Sequence, residues 1–320
     1  MQYRRLSGTE LDVSVICFGG MTAGSYGTFG HQDDEASMQA VRAALEEGIN
    51  FFDTAEGYGD GHSEDVLGRA LQGRREQVVI GTKVSQRHLD RDQMARACNR
   101  SLRLLRTDYL DIYHVHWPNH DVPFADVVER LERLREAGKV RYWGVSNFGR
   151  QDLTDLLACG RPAVNQVPYS LLWRIIEHEV RPLCIENGVS IICYSPLAQG
   201  LLTGKFGRPD EVPPERARAR YMAEAAERSF KVIGLLREVS DELGQPMADV
   251  ALAWALAQPG IASVLTGVRS DEQVRQNARA ADLTLPAAAL ERLTQGSEAL
   301  RQELGTDPDM WNAGERSRYR

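Results

Sequence analysis

The stretch that decides the fold lies at residues 50–59 and reads Asn50-Phe51-Phe52-Asp53-Thr54-Ala55-Glu56-Gly57-Tyr58-Gly59. Its apolar start is typical of a short buried strand, and the polar, glycine-containing sequence from Asp53 onward is typical of a loop. Seven more short apolar runs occur along the chain, separated by longer stretches with apolar residues at helical spacing. The predicted strands are Val15–Gly19, Asn50–Asp53, Val78–Lys83, Tyr109–His116, Tyr142–Ser146, Ala163–Gln166, Ser190–Tyr194 and Ala262–Thr266.

The order of these segments predicts a closed barrel. Several strands are continuous apolar runs, as expected for strands that are covered on both faces. The first seven begin roughly 20 to 35 residues apart, which is the length of one strand–helix unit. Eight such units favour an α/β fold of the (β/α)8 TIM-barrel type over a doubly wound open sheet. The G-x-G-x-x-G motif that usually follows the first strand of an open sheet is missing, because the chain there reads Phe18-Gly19-Gly20-Met21-Thr22.

Three segments depart from the repeating pattern. Met1–Val13 is predicted to form a short N-terminal hairpin around Ser7-Gly8-Thr9 that closes the bottom of the barrel. The polar connection at about residues 204–224 contains four arginines, and loops of this length are often lids. From about Gly305 the chain continues as a C-terminal extension that carries Trp311. No linker divides the sequence, so we expect residues 1–320 to form one domain.

The composition restricts where the protein works and what it binds. A formal net charge of −7 argues against nucleic acid or an anionic membrane as the main partner. The five cysteines are scattered and form no C-x-x-C pair, which is typical of free thiols in a reducing compartment. No run approaches ~20 uninterrupted apolar residues and no signal-peptide pattern opens the chain, so we expect a cytoplasmic protein without a membrane span.

Polar residues stand at the ends of six consecutive predicted strands. Each one alone could be a helix cap, a solvated strand end or a core histidine. In a barrel, however, the carboxyl ends of all strands meet at one mouth, which is where the chemistry of this fold is found. Their joint placement therefore predicts a functional site built from Asp53, Lys83, His116, Ser146-Asn147, Gln166 and Tyr194-Ser195.

The segments around these residues resemble the aldo-keto reductase family. The resemblance extends from about Tyr3 to Leu285, and the motifs follow the family order. It implies a bacterial NADP(H)-dependent oxidoreductase that reduces an aldehyde or ketone to an alcohol, related to the branch of channel beta subunits. The matching motifs are Phe51 to Gly59 as quoted above, Gly81-Thr82-Lys83, His114-Val115-His116-Trp117-Pro118, Gly144-Val145-Ser146-Asn147-Phe148, Asn165-Gln166-Val167-Pro168-Tyr169-Ser170 and Tyr194-Ser195-Pro196-Leu197.

The resemblance implies a catalytic tetrad of Tyr58, Asp53, Lys83 and His116, with Tyr58 as the general acid/base. Elementary chemistry agrees, because a tyrosine titrates at about pH 10 and remains a proton donor at neutral pH. Lys83 favours the phenolate that remains after donation, and Asp53 holds Lys83 by a charge-assisted hydrogen bond. His116 can donate a hydrogen bond to the carbonyl oxygen.

The resemblance also implies the contacts of the cofactor. Tyr194 would stack on the nicotinamide ring, and Arg269 would bind a 2′-phosphate, which favours NADP(H) over NAD(H). Gln276 stands where many members have Glu and can accept from the adenine amino group only through its side-chain carbonyl, so the adenine contact is expected to survive while the cofactor preference is less strict. The full set is Ser146, Asn147 and Gln166 for the carboxamide, Tyr194 for the ring, Ser195 beside it, Leu197, Gln199, Gly200 and Lys205 for the pyrophosphate, and Gly267, Arg269, Gln273, Gln276 and Asn277 for the adenosine phosphate. The arginines of the long connection are expected to fold over the dinucleotide.

The expected substrate is a small carbonyl compound bound by Met21, Tyr26 and Trp117, with Trp173 and Trp311 as further candidate walls. Aromatic walls with polar openings suit sugar aldehydes or oxo-sugars, and small aromatic aldehydes equally. Two other functions stay open. His114, His116, Asp53 and Glu56 could be the ligands of a metal-dependent isomerase or hydrolase, although Lys83 at the same mouth would repel a metal. Alternatively, the chain could be a regulatory or interaction subunit that binds the cofactor without turnover.

Overall fold

The computed structural model describes residues 1–22, 33–214 and 219–320, and a closed barrel of parallel strands forms its centre. Around the barrel the strands pair in the order β10-β3-β4-β5-β6-β7-β8-β9, so the predicted (β/α)8 fold is confirmed. Each predicted strand is present, with its ends within three residues of the expected ones. The strands are β1 Tyr3–Arg5, β2 Asp12–Ser14, β3 Ile16–Gly19, β4 Phe51–Asp53, β5 Val79–Val84, β6 Leu110–Val115, β7 Val140–Ser146, β8 Val164–Pro168, β9 Ser190–Tyr194 and β10 Ile261–Gly267.

Helices follow the strands and cover the outside of the barrel. In the helix over 124–136 the buried residues are Val127, Val128, Leu131 and Leu134, at the spacing seen in the sequence. In the part of the chain that the structure describes, no helix is both long and apolar enough to cross a membrane. The helices are α1 Asp34–Glu46, α2 His62–Ala70, α3 Arg91–Leu105, α4 Phe124–Glu136, α5 Arg150–Leu157, α6 Val180–Glu186, α7 Arg220–Ala223, α8 Ala226–Leu243, α9 Met247–Leu256, α10 Asp271–Ala280, α11 Ala287–Gly296 and α12 Glu298–Glu303.

The N-terminal hairpin closes the amino end of the barrel, as expected. β1 and β2 pair in antiparallel fashion, and the amide of Leu6 donates to the carbonyl of Leu11 across the turn at 3.0 Å. Leu6 and Leu11 then pack with inward-facing barrel residues such as Phe51 and Ile112 in one buried cluster. Full burial of a leucine side chain contributes about 1.5–3 kcal/mol, so the hairpin is a stable floor rather than a loose arm.

The C-terminal extension returns to the carboxyl end of the barrel and is held there by buried charges. The buried carboxylate of Asp309 accepts from the amide of Trp311 at 3.0 Å and from the guanidinium of Arg318 at 2.7 and 2.8 Å. Arg220 lies beneath this turn and donates to the carbonyl oxygens of Leu304 at 3.0 Å and Asp309 at 3.3 Å. The extension therefore has a defined path over the mouth.

Candidate active site

A buried ion pair lies at the centre of the mouth, where β4 and β5 end. The ammonium of Lys83 donates to a carboxylate oxygen of Asp53 and, at 2.8 Å, to the carbonyl of Thr54. The other carboxylate oxygen of Asp53 accepts from the side-chain amide of Gln166 at 2.9 Å. Lys83 is 0% exposed and Asp53 is 1% exposed, so both charges depend on these partners rather than on water.

Tyr58 lies over this pair in the loop between β4 and α2. Its amide donates to the carbonyl of Ala55 at 3.0 Å, and the next turn passes through left-handed φ angles at Gly59 and Asp60. The ammonium of Lys83 is 5.3 Å from the centre of the Tyr58 ring. The ring of His116 meets Tyr58 edge-on, with 5.8 Å between the ring centres. The structure thus brings together all four residues of the predicted tetrad.

Burial and charge set the protonation states of the tetrad. Burial raises the pKa of Tyr58 above its ordinary value, and the charge of Lys83 offsets only part of this effect. Burial alone would lower the pKa of Lys83, but the charge and hydrogen bond of Asp53 together with the nearby Tyr58 outweigh this effect, so the pKa is raised. Burial, with a smaller effect of Lys83, lowers the pKa of His116 to about 3. The site therefore holds a protonated tyrosine, an ammonium and a neutral imidazole at neutral pH.

His114 lies inside the barrel below the tetrad and is completely buried. A Cβ on Gly144 would lie 2.8 Å from its Nδ1, so the imidazole needs the glycine of the neighbouring strand. Burial, with a smaller effect of the Lys83 charge, lowers the pKa of His114 to about 3, and a contact with the backbone of Val145 opposes this shift only in part. Within residues 1–22, 33–214 and 219–320, no three histidine, cysteine or acidic side chains come together in a way that could hold a metal ion.

The residues predicted to bind the carboxamide form one hydrogen-bonded group beside the tetrad. Asn147 follows β7 with φ +64°, a left-handed conformation that aims its side chain across the mouth. Its Nδ2 donates to the carbonyl of His116 at 3.0 Å and to the hydroxyl of Ser146 at 3.1 Å. The hydroxyl of Tyr194 donates to Asn147 Oδ1 at 2.8 Å, and that of Ser146 donates to the carbonyl of Gln166 at 2.9 Å.

A tight turn follows β9 where the pyrophosphate residues were predicted. Ser195 and Gln199 both take left-handed φ angles, of 54° and 56°, and Gly200 follows with φ 92°. The side-chain nitrogen of Gln199 is buried, and the Gln199 side chain interacts with the hydroxyl of the buried Tyr221. Leu197 is half-buried at the start of the turn, and Lys205 is exposed beyond it.

The predicted adenosine-phosphate residues lie where β10 gives way to α10. Gly267 ends the strand, and Ser270 caps the helix by accepting from the amide of Gln273 at 3.3 Å. The side chain of Gln273 in turn accepts from the amide of Arg269 at 2.9 Å, and Arg269 is exposed. Further along α10 the structure places Gln276, which is half-buried, and Asn277, which is buried. This helix start, with an arginine beside it, suits a phosphate group.

The prediction that the arginines of the long connection fold over the dinucleotide is wrong for Arg220. That side chain is buried and engaged with the C-terminal extension, as described above, because the carbonyls of the extension need donors. Arg208 is exposed and pairs with its neighbours Asp210 at 3.0 Å and Glu211 at 3.3 Å. Arg216 and Arg218 lie outside the described residues.

Only some of the residues predicted to line the substrate pocket lie at the mouth of the barrel. Trp117 is half-buried beside the tetrad, and Met21 is 39% exposed near the rim. Tyr26 lies outside the described residues. Trp173 is 1% exposed and packs edge-on against Tyr221, so it belongs to the packing below the extension. Trp311 is half-buried against the main core.

Sequence reasoning missed two residues of the mouth, Arg318 and Tyr319. The ring of Tyr319 meets Trp117 edge-on with 5.5 Å between the ring centres, and its hydroxyl donates to Asn147 Oδ1 at 2.8 Å. The guanidinium of Arg318 lies 3.7 Å from the centre of the Trp117 ring. The only sign of Tyr319 in the sequence is that it is an aromatic residue in a polar tail. This does not indicate which surface of the protein the tail contacts.

Comparison with known proteins identifies relatives over nearly the whole chain. The model of the aldo/keto reductase family matches residues 15–298. A probable voltage-gated potassium channel subunit beta of Arabidopsis thaliana is 32% identical, over 88% of this chain and 92% of that protein. The NADH-specific methylglyoxal reductase of Escherichia coli is 34% identical, over 85% of this chain and 91% of that protein. The crystal structure of an aldo/keto reductase from Klebsiella pneumoniae in complex with NADP and acetate is 31% identical with a TM-score of 0.75, over 92% of this chain and 94% of that chain.

Proposed function

The chain belongs to the aldo/keto reductase family, and from that premise we propose that it is an oxidoreductase that uses NADP(H) to reduce an aldehyde or ketone to an alcohol. One observation carries the proposal: Tyr58, His116 and the buried Lys83–Asp53 pair meet at one open end of the barrel. A carbonyl reductase needs that arrangement to move a proton.

Tyr58 is the proton donor in this proposal. When bound, the reduced nicotinamide supplies a hydride to the carbonyl carbon. Tyr58 gives its phenolic proton to the carbonyl oxygen, and the raised pKa keeps that proton in place until it is needed. Lys83 stabilises the phenolate that results, at a distance of 5.3 Å from the ring centre. Asp53 and the carbonyl of Thr54 keep Lys83 in position.

His116 orients the substrate oxygen. Its lowered pKa of about 3 leaves it neutral, so one ring nitrogen carries a proton and can donate without adding a charge to the site. The edge-on packing against Tyr58 places both donors on the same side of the mouth. Two donors aimed at one oxygen stabilise the negative charge that develops there.

NADP(H) is the proposed cofactor. The exposed Arg269 beside the start of α10 offers a guanidinium for a 2′-phosphate. The Klebsiella relative was crystallised with NADP, which supports the same choice, whereas the Escherichia coli relative is named as NADH-specific. A comparison of the dissociation constants of NADPH and NADH separates the two. Binding of NADH at least as tight as that of NADPH would remove Arg269 from its assigned role.

Small oxygenated aldehydes are the proposed substrates. Trp117 makes an aromatic wall next to the polar donors of the tetrad, which suits a short chain carrying several oxygens better than a bulky apolar ketone. Methylglyoxal belongs to this class, as do sugar aldehydes and oxo-sugars, and one relative is named for methylglyoxal. The experiment follows NADPH oxidation by purified protein with methylglyoxal, glyceraldehyde, an oxo-sugar and benzaldehyde. Absence of turnover with the whole panel would contradict the proposal.

The similarity to a probable potassium channel subunit favours a second candidate, a cofactor-binding subunit. In that function the protein would bind NADPH tightly and release it unchanged. A single-turnover reaction of protein-bound NADPH with the aldehyde panel distinguishes the two functions. Oxidation that Tyr58→Phe abolishes is the result expected for an enzyme.

A further inference from the structure

The last residues of the C-terminal extension lie among the predicted nicotinamide ligands. Tyr319 is 7% exposed, and its hydroxyl donates to Asn147 Oδ1 at 2.8 Å. Its ring packs edge-on against Trp117, the aromatic residue next to His116. A residue more than 170 positions away in the sequence therefore contacts the amide that was expected to bind the carboxamide.

Specific polar contacts hold the end of the extension in this position. The amide of Arg320 donates to the buried carboxylate of Asp152 at 2.8 Å. Its carbonyl accepts from the amides of Gln151 at 2.8 Å and Asp152 at 3.2 Å, at the start of α5. Arg318 pairs with Asp309 on the other side of Tyr319. These contacts fix Tyr319 from both sides, so its bond to Asn147 is a built feature of the fold.

The side-chain amide of Asn147 has no capacity left for a ligand while Tyr319 is in place. An asparagine amide offers two hydrogens and two acceptor positions. Both hydrogens are used, toward the carbonyl of His116 and the hydroxyl of Ser146. Both acceptor positions are filled by the hydroxyls of Tyr194 and Tyr319. The amino group of a carboxamide can reach Asn147 Oδ1 only by displacing one of these phenols.

Of the two phenols, Tyr319 is the one that can leave. Tyr194 is the last residue of a barrel strand and is fixed by the sheet. Tyr319 is part of an extension that borders a cavity of about 320 Å³, whose opposite side is formed by Ile175, Glu179 and Val180. The extension therefore borders open space on one side, and the contacts named above that hold Tyr319 are not part of the pairing between barrel strands.

We propose that the C-terminal extension and the nicotinamide end of the cofactor compete for Asn147, with Tyr319 as the competing group. This inference rests on the proposed function, because it requires the carboxamide to bind Asn147. The docked extension then lowers the affinity of the free enzyme for the cofactor. Each binding event releases the Tyr319–Asn147 hydrogen bond, and each departure allows it to re-form.

The test compares cofactor binding in the full-length protein and in Tyr319→Phe, which keeps the ring and removes the hydroxyl. NADPH binding is followed by its fluorescence. In the variant, NADPH no longer has to displace the Tyr319–Asn147 hydrogen bond. We therefore expect the variant to bind NADPH about three- to tenfold more tightly. A second variant that lacks residues 318–320 should show at least the same gain. Tyr3→Phe is the matched control, because Tyr3 also donates to one acceptor, the carbonyl of Gly48 on the hairpin side, and should leave binding unchanged.

Two further measurements identify the route of the effect. In an Asn147→Ala background, Tyr319→Phe should no longer change NADPH binding, because the shared partner is gone. The compound 2′-phospho-ADP-ribose, which is the same dinucleotide without nicotinamide, should bind equally to the parent protein and to Tyr319→Phe. A similar gain for both ligands would overturn the competition, since it would not involve the carboxamide.

The remaining outcomes separate this inference from the proposed function. Unchanged or weaker NADPH binding in Tyr319→Phe, with the parent protein binding NADPH, overturns the inference and leaves the proposed function standing. Failure of the parent protein and both variants to bind either NADPH or NADH overturns the proposed function and the inference together.

Discussion

Replacement of Lys83 by methionine is the sharpest test of the proposed chemistry. Methionine keeps the length of the side chain and removes its charge. The ammonium is 5.3 Å from the centre of the Tyr58 ring and fully buried. With an effective dielectric constant of about 20, a charge at this distance stabilises the phenolate by about 3 kcal/mol. That free energy corresponds to a rate about 200-fold lower for the proton-transfer step.

The assay is a single turnover of protein-bound NADPH with a saturating aldehyde, because product release does not then mask the chemical step. Lys139→Met is the matched control, since Lys139 is a surface lysine that pairs with Asn99. A single-turnover rate of Lys83→Met within tenfold of the parent rate, in a folded protein, would refute the assigned role of the ammonium.

Stability must be separated from catalysis in this variant. Removing Lys83 leaves the Asp53 carboxylate buried beside a neutral side chain, and breaking a buried pair in this way costs about 3–5 kcal/mol. The double variant Lys83→Met/Asp53→Asn removes the unpaired charge and should recover part of the free energy of unfolding in urea. It should recover none of the single-turnover rate, because the phenolate of Tyr58 still has no cation beside it.

Three other expected outcomes test separate parts of the structure. Tyr58→Phe should abolish carbonyl reduction and change the dissociation constant of NADPH by less than about twofold, because only the proton donor is removed; measurable turnover would exclude Tyr58 as the acid. Arg269→Ala should weaken NADPH binding at least about tenfold and leave NADH binding nearly unchanged, as expected for loss of a charge-assisted hydrogen bond to the 2′-phosphate; equal weakening of both would contradict this. The pKa of His114 is lowered from 6.5 to about 3, so the unfolded chain binds the proton more tightly and stability falls as the pH drops below 6.5. The measurement is the free energy of unfolding in urea between pH 6 and pH 4.5. His114→Gln should reduce the dependence of this free energy on pH by up to about 1.4 kcal/mol per pH unit, and an unchanged dependence would show that His114 is not the group that titrates.

The barrel and the proximity of Asp53 and Lys83 at its mouth were predictable because both follow from a local repeat. Apolar runs mark strands, and strand ends in a parallel barrel must share one mouth, so Asp53 and Lys83 could be placed together from their positions alone. The sequence pattern defines the exact ends of the strands less closely than it defines the strands themselves. The prediction included His116 in its strand, whereas β6 ends at Val115 and His116 stands just beyond it, where the chain turns into the mouth.

The path of the C-terminal extension could not be predicted in the same way. It has no repeat and no apolar period, and its position depends on contacts between distant residues such as Arg220 and the carbonyl of Leu304. A surface arginine in a polar loop gives no sign that it will be buried beneath another segment. The same holds for Tyr319, whose partner Asn147 is defined only after the barrel has closed. Local patterns determine which elements form, and long-range hydrogen bonds determine where a tail without a pattern comes to rest.

The hairpin at the amino end of the barrel affects how Tyr58 of the proposed enzyme would regain its proton. Leu6, Leu11 and Val13 lie in one buried apolar cluster at the amino end of the barrel, on the side opposite Tyr58. In the proposed reaction we therefore expect the phenolate to regain its proton from solvent at the carboxyl-end mouth, where the alcohol also departs. Product release and proton uptake would then use the same opening. They would occur one after the other, or the proton would pass along water molecules beside the departing alcohol. A turnover rate that slows in heavy water and in viscous solvent together is the kinetic mark of such a shared route.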